Sequence, residues 1–322
     1  MSQIIDGRAL AEKIKDKVVK EIVEMGKQKQ KAVPETHECK CGHGTEEHAH
    51  EHEDSEGHEF ATFLNAPRPN LAIVLVGNRK DSEIYVALKE REAKKVGIDT
   101  SLYRCPEEIT EEELLGMIKY LNSDELIDAI LVQLPLPENL NEDRIVAAID
   151  PKKDVDGFHP ENLKKLLGSC ENKAIMPPVF DTVLEMLKSI DYDLEDKQIC
   201  VIANSDIFGD SLAKILECRK AKAIAVKSDD KDLKEKTSKA DILISAVGKP
   251  NFITNEMVKT DAVIIDIGIT KENGKIYGDV DFHGVEDKVS FITPVPGGVG
   301  PMTIACAFRN VLALYKRKHG KQ

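Results

Sequence analysis

Leu71-Ala72-Ile73-Val74-Leu75-Val76, closed by Gly77, decides the fold. Six consecutive apolar residues ending at a glycine describe a strand buried on both faces, which belongs in a parallel sheet covered by helices on each side. Upstream, Leu10, Ile14, Val18 and Ile22 recur at helical spacing, so residues 6–30 form a first helix. Downstream, a helix carrying Tyr85, Leu88 and Lys89 ends near Gly97. A short strand at 101–104, a helix at 111–122 and a second buried strand at 129–133 follow. Strand and helix alternate, which implies a parallel sheet with crossover helices.

A helix at 142–149 leads into residues 150–157, which read as a domain boundary. The second half repeats the alternation, with strands at 198–203, 223–226, 242–245 and 262–267 and helices at 211–218 and 231–240. That layout is Rossmann-like. A last helix at 302–316 follows a Gly/Pro turn and is expected to return to the first domain. The expected architecture is therefore α/β with two domains and a cleft between them. Residues 1–149, with a His/Cys/acid-rich insertion at 33–66 and completed by the C-terminal helix 300–322, make the first domain, and residues 150–299 make the Rossmann-like one.

A length of 322 residues suits two domains of ordinary size, and 41% apolar residues supply their cores. No apolar run is long enough to span a bilayer, and the N-terminus lacks the basic and apolar regions of a signal peptide. The expectation is a soluble cytoplasmic protein with no membrane partner. A formal net charge of −12 argues against a nucleic-acid partner, which would require a basic face. The basic stretch Lys316-Arg317-Lys318-His319 reads as a solvated helix end. Of the seven cysteines, Cys105, Cys170, Cys200, Cys218 and Cys306 have no framework spacing, so reduced thiols are expected.

Residues 35–60 break the pattern: they hold six of the nine histidines, nine acidic residues, Cys39 and Cys41, with almost nothing to pack a core. Two readings stand side by side. Cys39, Cys41, His43 and later histidines offer thiolate and imidazole to zinc, nickel or copper. Cys-x-Cys spacing and alternation with acids describe instead an acidic, histidine-biased loop.

Four segments carry chemistry. Tyr85 and Lys89 lie four residues apart in a helix, so ring and ammonium share one face. In Leu131-Val132-Gln133-Leu134-Pro135-Leu136-Pro137 a polar Gln133 ends a strand, where open α/β sheets bind ligands, and the prolines forbid further ladder. Asp154 and Asp156 in Asp150-Pro151-Lys152-Lys153-Asp154-Val155-Asp156-Gly157-Phe158 either cap the next helix or, for Asp156, meet the donor edge of a pterin. Thr293-Pro294-Val295-Pro296-Gly297-Gly298-Val299-Gly300-Pro301-Met302-Thr303 brings backbone close to a flat ligand and opens a helix.

In this order and spacing the segments resemble the methylenetetrahydrofolate dehydrogenase/cyclohydrolase family. Ala246-Val247-Gly248-Lys249-Pro250, Ile265-Asp266-Ile267-Gly268-Ile269 and Gly278-Asp279-Val280-Asp281-Phe282 extend the match through most of residues 70–310. The resemblance implies oxidation of 5,10-methylenetetrahydrofolate with NADP or NAD, then hydrolysis of the methenyl product to 10-formyltetrahydrofolate, with no metal required. It makes Lys89 the catalytic lysine, Gln133 its hydrogen-bond partner, Tyr85 the ring stacked on folate and Asp156 the pterin anchor. Pro296, Gly297 and Gly298 close over the substrate. Ser205, Ile207, Gly209, Ser228, Ile267, Ile269 and Thr303 fall at cofactor-binding positions. A homodimer paired through the cofactor domain is the family expectation.

The cofactor side departs from the family pattern. Where the family reads Gly-Arg-Ser-x-x-Val-Gly-x-Pro, this chain has Ala203-Asn204-Ser205-Asp206-Ile207-Phe208-Gly209-Asp210-Ser211. The lost arginine is the natural bidentate partner of a 2′-phosphate. After the second strand, Cys-His-Ser-Arg/Lys-Thr has become Val226-Lys227-Ser228-Asp229-Asp230, and Pro-Cys-Thr-Pro has become Pro177-Pro178-Val179-Phe180. Acids at that point favour a ribose diol, hence NAD over NADP. The alternatives are a monofunctional cyclohydrolase with a degenerate cofactor site, and a non-catalytic folate- or metal-binding protein.

Overall fold

The structure, a computed structural model, describes residues 2–31, 68–170, 174–272 and 274–320. The candidate metal ligands Cys39, Cys41 and His43 lie outside the described residues.

Strand β2 (Asn70–Val76) is the centre of a three-stranded parallel sheet, between β3 (Asp99–Cys105) and β4 (Ala129–Val132). Side chains alternate across a strand, so the apolar run that opened the sequence feeds two cores. Leu71, Ile73 and Leu75 pack toward Val18, Ile22, Phe308 and Val311, while Ala72, Val74 and Val76 pack toward Leu114, Ile118 and Ile145. The helices supplying these contacts are α1 (Gly7–Lys31), α2 (Lys80–Val96), α3 (Glu111–Ser123), α4 (Glu142–Ala147) and the last helix, α10 (Val299–His319). Gly97 ends α2 in the left-handed conformation (φ 83°), with its N–H turned back to Ala93 and Lys94.

Between the sheets run α5 (Pro160–Gly168) and α6 (Pro178–Ser189). The larger sheet contains β5 (Gln198–Ala203), β6 (Lys222–Val226), β7 (Ile242–Ala246), β8 (Val263–Asp266) and β11 (Phe291–Ile292), alternating with α7 (Asp206–Glu217), α8 (Leu233–Thr237) and α9 (Phe282–Val285). A small antiparallel hairpin, β9 (Thr270–Glu272) with β10 (Lys275–Tyr277), follows β8. The order β1-β11-β8-β7-β5-β6, all parallel, includes β1 (Gln3–Ile4) at one edge. The first strand of the chain therefore completes the larger sheet rather than the smaller one.

Two helices serve both halves. Along α10, Met302, Ala305 and Cys306 enter the core beneath the larger sheet, whereas Ile304, Ala307, Phe308 and Val311 enter the core of the smaller one. Helix α1 divides the same way, with Ala11 and Ile14 on one side, beside Ile5 just before the helix, and Val18 and Ile22 on the other. The segment 150–157 is equally well anchored. Asp154 bridges to Ile130 beside β4 and accepts hydrogen bonds from Gly157 N–H (2.9 Å), His159 N–H (3.0 Å) and Asn162 Nδ2 (2.9 Å). The cap of α5 is His159, whose Nδ1 accepts from Glu161 N–H (3.1 Å), and neither aspartate fills that position.

The expectation of free thiols fails for one pair. Cys170, just after α5, and Cys218, at the end of α7, form a disulfide with a Cα–Cα distance of 5.2 Å. Helix α5 packs on α7 and delivers the two residues to the same spot, a proximity that residues 48 apart in sequence do not announce. Cys105, Cys200 and Cys306 are free and buried, as expected.

Candidate active site

Tyr85, on α2, lines a cavity of about 630 Å³ between the halves together with Gln133, Pro135, Pro296, Gly297 and Gly298, and Lys89 lies one turn further along the same helix. Lys89 Nζ donates to Gln133 Oε1 at 2.9 Å. Gln133 is held from both ends: its backbone N–H donates to Val74 O (2.8 Å) and its side-chain amide to Leu134 O (2.7 Å). With its amide nitrogen committed to Leu134, Gln133 presents oxygen to the lysine, so it orients the ammonium without neutralising it.

Lys89, bonded to the cavity-lining Gln133, and Asp156 form the floor; both keep some solvent access, and each feels the other's charge. Burial lowers the Lys89 pKa, partly offset by Asp156. Burial raises Asp156 to about 6; the Lys89 charge opposes that rise and Asp154 adds to it. Asp156 is held from both flanks, on one side by the Asp154 network. On the other, buried Asn310 of α10 donates to Val155 O (2.9 Å) and Met176 O (2.8 Å). Burial also raises the Tyr85 phenol, with the Asp81 charge adding to it.

The opposite wall is the turn before α10. Gly7 at the start of α1 leaves no room for a Cβ beside the Gly298 carbonyl, and the Arg8 guanidinium lies over Gly297. Arg8 and Arg79, on the cavity wall, are cations that sequence reasoning missed; they come from elements distant in sequence and have no motif spacing. Arg79 is paired with Asp81 at 2.7 Å.

The second candidate region is the C-terminal edge of the larger sheet. Ser205 caps α7, its hydroxyl accepting from Phe208 N–H (3.3 Å). The helix starts five residues before the expected 211, because Ser205 is the cap rather than part of a loop. Gly209 lies against Ala203 and Ala225, and a Cβ there would sit 3.1 Å from the Ala225 methyl, so glycine lets helix and sheet approach closely. Ser228 Oγ donates to Asn204 Oδ1 (2.8 Å), Asn204 Nδ2 to Val247 O (3.3 Å) and Lys249 Nζ to Ser228 Oγ (3.3 Å), knitting the loops after β5, β6 and β7. A cavity of about 330 Å³ there is lined by Ser205, Gly209, Asp206, Asp210, Asp229 and Asp230, with Lys227 its one cation. Lys227 is bound to Asp206 (2.9 Å) and Asp230 to Lys236 (2.6 Å).

The remaining expected cofactor residues scatter. Ile269 lines the larger cleft, Ile267 is half-buried against the core, and Thr303 donates to Gly300 O (2.8 Å) within α10. Ile207 is 51% exposed on the first turn of α7. Phe180, which replaces the family's second proline, is fully buried and meets Phe158 and Phe208 edge-on at 5.5 and 5.1 Å. Among the described residues no cluster of His, Cys, Asp and Glu could hold a metal, and no helix is long and apolar enough to cross a membrane.

A parallel Rossmann-type sheet joined to a smaller α/β domain, with a half-buried lysine–glutamine pair at the cleft between them, defines a two-domain α/β enzyme of the nucleotide-cofactor class. Family models place it further. Residues 5–156 match the catalytic domain of tetrahydrofolate dehydrogenase/cyclohydrolase, and residues 177–319 match the NAD(P)-binding domain of the same family. The bifunctional protein FolD of Aquifex aeolicus is 40% identical over 319 residues, covering 99% of this chain and 97% of that one. The crystal structure of the bifunctional FolD dehydrogenase/cyclohydrolase from Campylobacter jejuni superposes with a TM-score of 0.82 at 35% identity, covering 98% and 99% of the two chains. That of the Trypanosoma brucei enzyme, complexed with NADP and an inhibitor, gives 0.83 at 29% identity and 99% of each chain. The chain belongs to the tetrahydrofolate dehydrogenase/cyclohydrolase family.

Proposed function

We propose that this chain oxidises 5,10-methylenetetrahydrofolate to the 5,10-methenyl form with NAD(P) and hydrolyses that product to 10-formyltetrahydrofolate in the same cleft. The observation that carries the reading is the Lys89 Nζ–Gln133 Oε1 hydrogen bond of 2.9 Å, set beside Asp156 in the cleft floor. Tyr85 offers a ring face to the folate, and Asp156 offers a carboxylate to the pterin's donor edge. Pro296, Gly297 and Gly298 close the opposite wall. Hydrolysis adds water to the amidinium-like methenyl carbon, breaks the bond from that carbon to N5 and releases one proton. Lys89, its pKa lowered by burial, takes a proton from the attacking water and returns it toward N5, while Gln133 keeps the amine aimed.

Bound NAD(P) supplies the hydride acceptor. The residues of this chain fit such a cofactor: Ser205 caps a helix whose N-terminal amides would meet its phosphates, and Gly209 lets that helix sit close to the sheet beside Ala203 and Ala225. Ser205, Gly209, Ser228, Ile267, Ile269 and Thr303 are the residues we assign to it. The charge around the ribose pocket supports NAD over NADP, because Asn204 stands where the family has arginine and Lys227 is already bound by Asp206. Asp229 is the carboxylate we assign to the ribose diol.

We further propose a cytoplasmic homodimer, as the family resemblance implies. Strand β6 supports this, since it is the outer strand of the larger sheet and Ile224 on it is 46% exposed. Light scattering of the purified protein would show a particle of twice the chain mass, and a monomer would refute the assembly.

The deciding experiment measures methylenetetrahydrofolate oxidation with NAD and with NADP, and methenyltetrahydrofolate hydrolysis in the same preparation. Oxidation faster with NAD is the expected result. Hydrolysis without oxidation would establish the monofunctional cyclohydrolase, which the four carboxylates at the ribose pocket would then explain.

A further inference from the structure

At the end of β8 two buried carboxylates are interlocked. Asp266 Oδ1 accepts from the N–H groups of Gly268 (2.9 Å) and Asp279 (3.1 Å), and Oδ2 from Val280 N–H (2.9 Å). Asp279 Oδ2 accepts from Ser245 Oγ (2.8 Å) and Val247 N–H (2.6 Å), and Oδ1 from Lys249 N–H (2.9 Å). Asp266 N–H donates to Thr293 Oγ1 (2.7 Å), tying in the turn that leads to Pro296. The glycines match reciprocally: a Cβ at Gly268 would collide with the Asp279 carboxyl, and one at Gly278 with the Asp266 carboxyl. Asp266 and Asp279 are 3% and 0% exposed, and their donors come from the end of β7 and the loop after it, the turn after β8 and the segment after the hairpin.

Two carboxyl groups buried side by side are costly unless something requires the geometry they impose. The turn they fix, Ile267-Gly268-Ile269, leaves the cofactor sheet and brings Ile269 to the wall of the folate cleft. It therefore lies where the redox end of the cofactor and the reacting carbon of the folate must meet. We propose that Asp266, locked by Asp279, is a positioning residue for the nicotinamide end of the cofactor: its carboxyl reaches the cleft wall but is committed to three backbone N–H groups, so it acts through the backbone of Ile267–Ile269. This rests on the reading that Ile267 and Ile269 meet the cofactor.

The test uses Asp266→Asn, which has nearly the same volume but places an amide N–H2 where backbone N–H groups already point. Binding of NADH, NADPH and ADP-ribose, which lacks nicotinamide, is followed by calorimetry alongside both activities. The expected result is a dissociation constant for the reduced dinucleotide raised about tenfold, with ADP-ribose binding unmoved and cyclohydrolase reduced far less than dehydrogenase. Ser245→Ala, which removes one of the three Asp279 donors, should shift the same ratio by about threefold. It decides the matter if Asp266→Asn does not melt cooperatively. Parallel weakening of ADP-ribose and dinucleotide, equal loss of both activities, or no change in either variant would overturn the assignment. Wild-type protein that bound none of the nucleotides would overturn the cofactor reading itself, and the positioning role with it.

Discussion

The cleft floor and the ribose rim of this molecule have diverged from their family to different degrees. On the floor, Tyr85, Lys89, Gln133 and Asp156 all match the family pattern, and each is constrained by burial or by a committed hydrogen bond. At the rim, Asn204, Lys227, Asp229 and Asp230 stand on open loops and Asp206 and Asp210 on the start of α7, where charges are exchanged at little cost to the fold. A buried amine cannot lose its one partner without disturbing the chemistry. An exposed carboxylate can replace a base and change only which nucleotide is welcome.

The sharpest way to test that contrast is to remove the floor's amine. Lys89→Met should lower cyclohydrolase turnover by about 10²–10⁴-fold. Hydride transfer, which needs position more than a protein base, should fall much less when assayed on the same protein. Equal loss of both activities would show that the lysine mainly holds the site together.

Asp156→Asn is next in size. The KM for folate should rise about tenfold to a hundredfold in both assays, the loss of a charge-assisted hydrogen bond. Its effect on stability has the opposite sign. The native carboxyl is raised to about 6 from an ordinary 3.8, so the folded protein binds the proton more tightly than the unfolded chain does, and stability falls as pH rises through that window. The Asn variant should therefore melt higher than wild type above pH 6, with the gain vanishing below about 4. A melting difference that stayed constant with pH would break the argument from burial.

Asp229→Ala addresses the rim. The ratio of kcat/KM for NAD over NADP should drop about tenfold with hydrolysis unchanged. An unchanged ratio would pass the role to Asp206 or Asp210. Smallest in its effect on chemistry is the Cys170–Cys218 bridge. Cys170→Ser should leave the selectivity of the rim in place while lowering stability by roughly 2–4 kcal/mol, read as a lower melting temperature that added reductant reproduces in the wild type.

How much of this could be read beforehand follows from where the physical signal was local. Strands β2, β5, β7 and β8 announce themselves because burial on both faces forces a continuous apolar run. Strands β1 and β11 have two residues each and no periodicity to detect. Helices α5 and α6 were legible in principle, since Pro160 and Pro178 each occupy a first helical position. Tyr85, Lys89, Gln133 and Asp156 were proposed from their motifs; the structure joins Lys89 to Gln133 by a hydrogen bond and sets Asp156 where it feels the Lys89 charge. Arg8 was not, because its place in the cleft depends on the close approach of Gly7 to Gly298. Nor could the Asp266–Asp279 lock be foreseen, because its six accepted bonds come from strand β7 and from separate loops that only the folded sheet juxtaposes.

The pairing of Gln3–Ile4 with Phe291–Ile292 has a consequence for how the protein is made. During synthesis the first strand leaves the ribosome long before its partner exists, while α1 behind it already has half of its apolar stripe destined for the smaller sheet. That sheet can assemble against α1 early, but its core stays open until α10 arrives with Phe308 and Val311. Both halves thus wait for the last stretch of chain, and a nascent protein stalled short of residue 299 would display two unfinished cores at once.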